Sequence, residues 1–196
     1  MPITHTNRKG ITYTLCRGTT KTGKPRYYFA REPQGQPVEQ LPEGYDIRES
    51  VNGVVSLAKT RPNLIRPEET AVVEAALRKH PKRHRYRVDT RSDQIVVFEK
   101  MGADLAELAR GLLGDGSGRD PAALGQVREL EERWAQFAPV LRFILQDETR
   151  RTFRVQRMSW YGAGESWRDL MGSGPIFRLA PQLIAKLGTD AFYELF

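Results

Sequence analysis

Asn52-Gly53, flanked by Val51 and Val54, is the strongest signal for a chain reversal in this sequence. Both residues tolerate the positive φ of a tight turn, so the pair predicts a type I′ hairpin joining strands at 45–50 and 54–58. Upstream, residues 11–16 alternate. Ile11, Tyr13 and Leu15 fall on one face and Thr12, Thr14 and Cys16 on the other, the period of a half-buried strand. Gly23 and Pro25 mark a turn. The return strand over 26–30 puts Tyr27 and Phe29 on one face and Tyr28 with Arg26 on the other. Residues 1–60 therefore read as two hairpins, a small antiparallel β unit, with a boundary at 60–66.

Beyond the boundary, helical and strand periods take turns. Pro67 suits a first helical position, with Glu68 and Glu69 in the first turn, Val72, Val73, Ala76 and Leu77 as an apolar stripe, and Pro81 as a stop. Strands are expected at 86–88 and 95–98, followed by a helix over 103–113 and a glycine-rich stretch at 114–119. Asp120-Pro121 begins a further helix, in which Leu124, Val127, Leu130, Trp134 and Phe137 keep a three/four spacing closed by Pro139. Strands then follow at 140–145 and 152–160, an aromatic and glycine loop at 160–167, and short helices at 165–171 and 180–187. The apolar end, Phe192, Tyr193, Leu195 and Phe196, is expected to be buried. Helix–strand–strand–helix can be read twice, over 67–113 and 120–171, which predicts a four-stranded antiparallel sheet covered by helices on one face. The expected fold class is α+β: a small N-terminal antiparallel β-hairpin unit over 1–60, then an α+β domain over 67–196 with a mainly antiparallel sheet and helices.

Charge is unevenly placed. Seven of the 31 basic residues, Arg8, Lys9, Arg17, Lys21, Lys24, Arg26 and Arg31, lie in the first 31 positions, which hold no Asp or Glu; the other 24 balance 24 acids. The formal charge of +7 thus resides in the N-terminal segment, and such asymmetry points to an acidic partner. A second basic cluster at 78–91 includes Arg83, Arg85 and Arg87, and a third comprises Arg150, Arg151, Arg154 and Arg157. Basic side chains neutralise phosphates and release counterions, while Tyr27 and Tyr28 offer rings for stacking on bases. The leading expectation is a non-catalytic protein that binds DNA or RNA through its N-terminal hairpin. The contact set is Arg8, Lys9, Arg17, Lys21, Lys24, Arg26, Tyr27, Tyr28, Arg31, Arg83, Arg85 and Arg87. A module for an acidic protein is the alternative.

Catalytic signals are weak. His80 and His84 have the four-residue spacing of paired metal ligands, but Pro81 breaks the helix between them, no Cys or carboxylate cluster accompanies them, and one cysteine excludes a zinc site built on cysteines. The glycine clusters fit neither a dinucleotide fingerprint nor a phosphate loop, and neither Ser166 nor Ser173 lies in the G-x-S-x-G pattern of a nucleophile elbow. Asp89, Asp93 and Glu99 surround a hairpin and leave a metal-dependent nuclease as a third reading. No cofactor is implied. No run is long enough to span a membrane, and with no apolar leader and the single Cys16 a cytoplasmic location is expected.

The stretches from His5 to Gly10, from Lys21 to Phe29 and from Pro42 to Tyr45, with Gly172-Ser-Gly-Pro175 and Leu187 to Leu195 at the other end, resemble a family of uncharacterised bacterial proteins. That family has no established activity. The resemblance implies that the basic hairpin and the apolar C-terminus belong to one protein type, and it transfers no catalytic residue.

Overall fold

The computed structural model describes residues 1–102, 129, 132–161 and 164–194. The expected helix over 103–113, the glycine-rich stretch and the start at Asp120-Pro121 lie outside these residues. The architecture is α+β with antiparallel sheets. It divides into two compact units, Met1–Thr60 with Met101–Gln136 and Arg61–Lys100 with Phe137–Phe196.

Three reversals in the first unit share one construction. At Asn7, Thr20 and Ser50 a carbonyl accepts the N–H of the glycine three residues on: Gly10, Gly23 and Gly53. Each glycine has positive φ, at 73°, 77° and 76°. The first side chain of each turn then accepts a backbone N–H beyond it. Asn7 takes those of Lys9 and Ile11, Thr20 that of Lys24, and Ser50 that of Val54. Asn52 does not adopt positive φ, so the expected type I′ turn is corrected to a longer reversal in which only Gly53 is left-handed. Val51, which a two-residue turn would leave in the strand, becomes a buried turn residue instead.

These turns organise the strands. β2 (Thr12–Thr19) pairs with β1 (Thr4–Thr6) and β4 (Gln36–Pro37) and with β3 (Pro25–Ala30). The register sets Leu15 opposite Phe29 and Cys16 opposite Tyr28, and Leu15 and Cys16 are both fully buried. β5 (Tyr45–Glu49) and β6 (Val55–Lys59) form a separate ribbon. Asn7, itself buried, donates its amide to the Gly53 carbonyl at 2.6 Å and so joins the first reversal to the third.

In the second unit a five-stranded antiparallel sheet runs in the order β11-β10-β9-β8-β7, built from Tyr86–Arg91 (β7), Gln94–Lys100 (β8), Phe137–Asp147 (β9), Thr152–Tyr161 (β10) and Gly164–Pro175 (β11). Ile95, Phe143, Val155 and Leu170 stand opposite one another across four strands, all fully buried. α1 (Pro67–Lys79) and α2 (Ile176–Ile184) pack together and bring Val73, Leu77, Leu179 and Leu183 into the same core.

Several expectations are corrected here. Residues 165–171 are part of β11 and not a helix. Two turns of helix would be marginal alone, whereas pairing along β10 satisfies the backbone throughout. The aromatic and glycine loop shrinks accordingly, since Trp160 and Tyr161 continue β10 and Trp167 pairs with Met158. Phe137 opens β9 instead of closing a helix, and Pro139 sits within that strand beside a register shift, where its missing N–H is tolerated. The last long helix starts at Ile176, earlier than expected, and contains Pro181. The sheet therefore has five strands, and the second helix–strand–strand–helix copy does not hold. Of the apolar C-terminus, Phe192 is 2% exposed but Tyr193 is 53% exposed; Leu195 and Phe196 lie outside the described residues.

One ion pair closes the β9–β10 turn. Arg151 adopts φ 51°, the left-handed region that costs an ordinary side chain. In that conformation its guanidinium donates to both oxygens of the buried Glu69, with Nε to Oε1 at 2.8 Å, and to the Leu64 carbonyl at 3.0 Å. Burial opposes the Glu69 charge, but hydrogen bonds from Arg151 and from the Arg66 backbone outweigh it and hold the carboxyl below its usual range. Arg151→Ala should lower stability by about 3–5 kcal/mol in denaturant titration, because it strands a buried carboxylate. Asn7→Asp should cost about 1–3 kcal/mol, since a carboxylate oxygen would then face the Gly53 carbonyl without a donor. Both losses should appear as shifted unfolding midpoints.

Candidate nucleic-acid interface

The tip of the β2–β3 hairpin is where the acid-free segment meets solvent. Thr20 to Lys24 form the reversal, fixed by the Thr20 N–H bond to the Lys24 carbonyl at 2.9 Å and the contact between the Thr20 and Thr22 hydroxyls at 3.0 Å. This leaves Lys21 and Lys24 exposed on a braced turn. Just behind it Arg17 pairs with Tyr27 on one face, while Arg26 pairs with Gly18 on the other. Both arginines are exposed, so each face of the ribbon presents a cation near the tip. The two threonines were not among the expected site residues. The signal for Thr20 was present, as a hydroxyl three positions before a glycine.

Tyr28 is committed to packing. A Cβ on Gly18 would lie 3.3 Å from its ring, and one on Gly35 would lie 2.7 Å from its hydroxyl and 2.8 Å from the Arg17 carbonyl oxygen. Only glycine at position 35 lets the connector close over this tyrosine. Tyr27 is half-buried. Arg31 is exposed, with its guanidinium 5.8 Å from the centre of the Tyr13 ring.

Arg8 and Lys9 do not join the tip. Arg8 donates its backbone N–H and its Nε to Glu49 Oε1, at 2.9 and 2.8 Å, and reaches the Val51 carbonyl. His5 Nε2 lies 3.2 Å from the other oxygen of Glu49, so this histidine is engaged rather than loose. Lys9 is buried, its stem lying against Gly53, and its carbonyl accepts Arg133 Nε at 3.0 Å. Both residues lie in the first reversal, which is bonded to Glu49, Val51 and Gly53; Arg8 still reaches solvent, whereas Lys9 is buried.

The other two clusters are largely spent on internal contacts. Arg85 donates to the Lys100 carbonyl and lies 3.6 Å from Glu99, and Arg87 sits over Phe137 and donates to the Tyr86 carbonyl. Arg83 is exposed on a short 3₁₀ turn, Arg83–Arg85. Arg154 holds Asp169 with two hydrogen bonds, Arg157 is buried, and Arg151 binds Glu69. The structure thus brings Arg17, Lys21, Lys24 and Arg26 together, and leaves Arg8, Lys9, Arg85 and Arg87 in structural roles.

The carboxylates and histidines are also dispersed. Asp89 stands opposite Val96 and Glu99 opposite Tyr86, a spacing that puts the two acids on opposite sheet faces. Asp89 is bound by Arg91 at 3.1 Å. His80 is buried, with Nε2 3.2 Å from the Leu187 carbonyl oxygen and Nδ1 accepting the Lys82 N–H, so both ring nitrogens are occupied by backbone. Among the described residues no group of three or more His, Cys, Asp or Glu is placed to hold a metal ion. No helix among them is long and apolar enough to cross a membrane.

In comparison with known proteins, the chain matches no family model, no curated protein and no solved structure.

Burial raises the Glu49 carboxyl, but hydrogen bonds from Arg8 and His5 outweigh it and hold the group below its ordinary value. A depressed carboxylate stabilises the fold above its unfolded pKa and loses that contribution as pH falls through the folded one. The first unit should therefore be insensitive to Glu49 above about pH 5 and weaken as acid protonates it, reading from an ordinary carboxylate near 4.3. Glu49→Gln should remove that part of the acid dependence, measured as thermal midpoint against pH.

Proposed function

We propose that this protein is a non-catalytic nucleic-acid-binding protein that engages phosphates through the tip of its β2–β3 hairpin. The observation that supports this reading is the set of exposed cations, Arg17, Lys21, Lys24 and Arg26, on a braced turn inside a 31-residue stretch without any Asp or Glu. Long cationic side chains on a narrow ribbon suit a phosphate backbone, which is contacted by position and charge and not read base by base. Tyr27 and Tyr28 are both half-buried beside these cations, and Tyr27 is the ring proposed to stack, since Tyr28 packs closely against Gly18 and Gly35. The contact set is thus narrower than charge alone suggests, without Arg8, Lys9, Arg85 or Arg87. DNA and RNA both fit this chemistry. The cytoplasm is the proposed location, in keeping with a single buried cysteine.

Titration of labelled single- and double-stranded oligonucleotides at several salt concentrations tests the proposal. For a single strand, each engaged phosphate contributes about −0.7 to the slope of log K against log salt, so three or four contacts predict roughly −2 to −3. Lys21→Ala with Lys24→Ala should flatten that slope by about one and a half units and leave the melting curve unchanged, because exposed turn lysines contribute little to stability. Arg8→Ala should leave the slope unchanged while lowering stability, since it removes a partner of Glu49. Absence of binding at low salt, or binding indifferent to the double substitution, overturns the tip as the contact surface.

A further inference from the structure

A recess of about 510 Å³ lies in the second unit, where the last turns of α1 meet the 3₁₀ turn and the start of β7, the end strand of the sheet. Leu77, Tyr86 and Val88 give it an apolar wall. Its other lining residues are ionisable: Glu74 and Arg78 from α1, Arg83 and His84 from the 3₁₀ turn, and Arg87 from β7. Three guanidiniums from three different elements thus border one concavity.

Each guanidinium is held differently. Arg87 is half-buried; its Nη1 donates to the Tyr86 carbonyl at 3.2 Å, and its guanidinium lies 5.4 Å from the centre of the Phe137 ring. It is a fixed charge in the wall. Arg83 is exposed on its turn, and Arg78 is exposed near the end of α1. Glu74 is the one acid in the lining. It lies 3.9 Å from Arg78, and both side chains are half exposed or more, so water screens the pair and leaves it weak. Three guanidiniums less one carboxylate leave an excess of two positive charges, with the imidazole counted as neutral. Charges of one sign around a concavity with apolar walls concentrate a counter-ion there, and two charges on that ion would balance the lining.

We propose that this recess binds a phosphomonoester. Such a group carries about −1.5 to −2 charges at neutral pH, which matches the excess, and its three oxygens accept from more than one guanidinium at once. A carboxylate offers a single charge. Arg83 and Arg78, on exposed stems, close on the phosphate, Arg87 supplies positive potential from the wall, and the organic part of the ester lies beside Leu77, Tyr86 and Val88. Two sources carry that group: the end of a nucleic-acid strand, and a free small molecule. The site belongs to the second unit and does not rest on phosphate binding by the hairpin tip.

Isothermal titration calorimetry of phenyl phosphate into the full chain tests the proposal, with benzoate as the singly charged control. Phenyl phosphate should bind saturably and benzoate more weakly. Arg83→Gln and Arg78→Gln, both at exposed positions, should each weaken phenyl phosphate by roughly tenfold or more, as for loss of a charge-assisted hydrogen bond, and should melt as the parent does. Arg150→Gln removes an exposed cation that does not line the recess, and it should leave binding unchanged. So should Lys21→Ala with Lys24→Ala, which separates this site from the hairpin. The proposal is overturned by absence of saturable binding, by benzoate binding equally well, or by Arg150→Gln weakening phenyl phosphate as much as Arg83→Gln does, since that would show a response to net charge alone. Oligonucleotides ending in a phosphate or in a hydroxyl then separate the two sources. A terminal phosphate that tightens binding, with the gain erased by Arg83→Gln, assigns the site to a strand end. Equal binding of the two oligonucleotides, beside saturable binding of phenyl phosphate, assigns it to a small molecule.

Discussion

A glycine in the left-handed region, placed three residues after a side chain that can accept a backbone N–H, is the constraint on which the first unit depends. It is met at Asn7–Gly10, Thr20–Gly23 and Ser50–Gly53, each time with the same carbonyl-to-glycine bond. A side chain with a Cβ would adopt that φ only at a cost, and without the polar side chain the next N–H would lose its acceptor. The three turns then diverge in use. The first and third are bonded to each other through Asn7 and the Gly53 carbonyl, while the second is left at the far end of its ribbon. One local rule thus builds both the anchored end of the unit and its exposed basic tip.

The same distinction decides which charges can meet a partner. Glu49 lies where the first reversal folds onto β5, and it binds Arg8 and His5. Among the described residues no comparable acid is bonded to the tip, and Lys21 and Lys24 are exposed on a turn held by threonines. In the second unit Glu69, Glu99 and Asp169 take up Arg151, Arg85 and Arg154 in turn. Within each of the three basic clusters at least one arginine is the cationic half of an ion pair whose anionic half comes from a distant position. The Arg151–Glu69 pair is costly to break, because the buried carboxylate left behind would have little access to water.

Much of the fold was legible. Alternation at 11–16 and 26–30 gave the faces that the register shows, Leu15 with Phe29 and Cys16 with Tyr28. Pro67 and Pro81 bounded α1 as expected. Residues 165–171 were misread because a short polar and aromatic stretch has no strong local preference, and ladder pairing with β10 outweighed it. Pro139 misled for a related reason: proline stops a helix anywhere, yet a strand accommodates it at a shift in register.

By itself the sequence determined the quantities that are local or additive: strand faces, helix starts, turn positions, and a net charge confined to the first 31 residues. Only the tertiary structure decided which of those charges are available, since that depends on acids tens of residues away. Arg8 and Lys24 are equivalent in composition and both reach solvent, but Arg8 is bound to Glu49 from another strand while Lys24 extends from a hairpin tip. The recess beside β7 belongs to the same class. Arg78, Arg83 and Arg87 stand on a helix, a 3₁₀ turn and a strand, and they line one recess only because α1 packs against β7. Periodicity follows from neighbours along the chain, whereas concavity and charge compensation follow from neighbours in space.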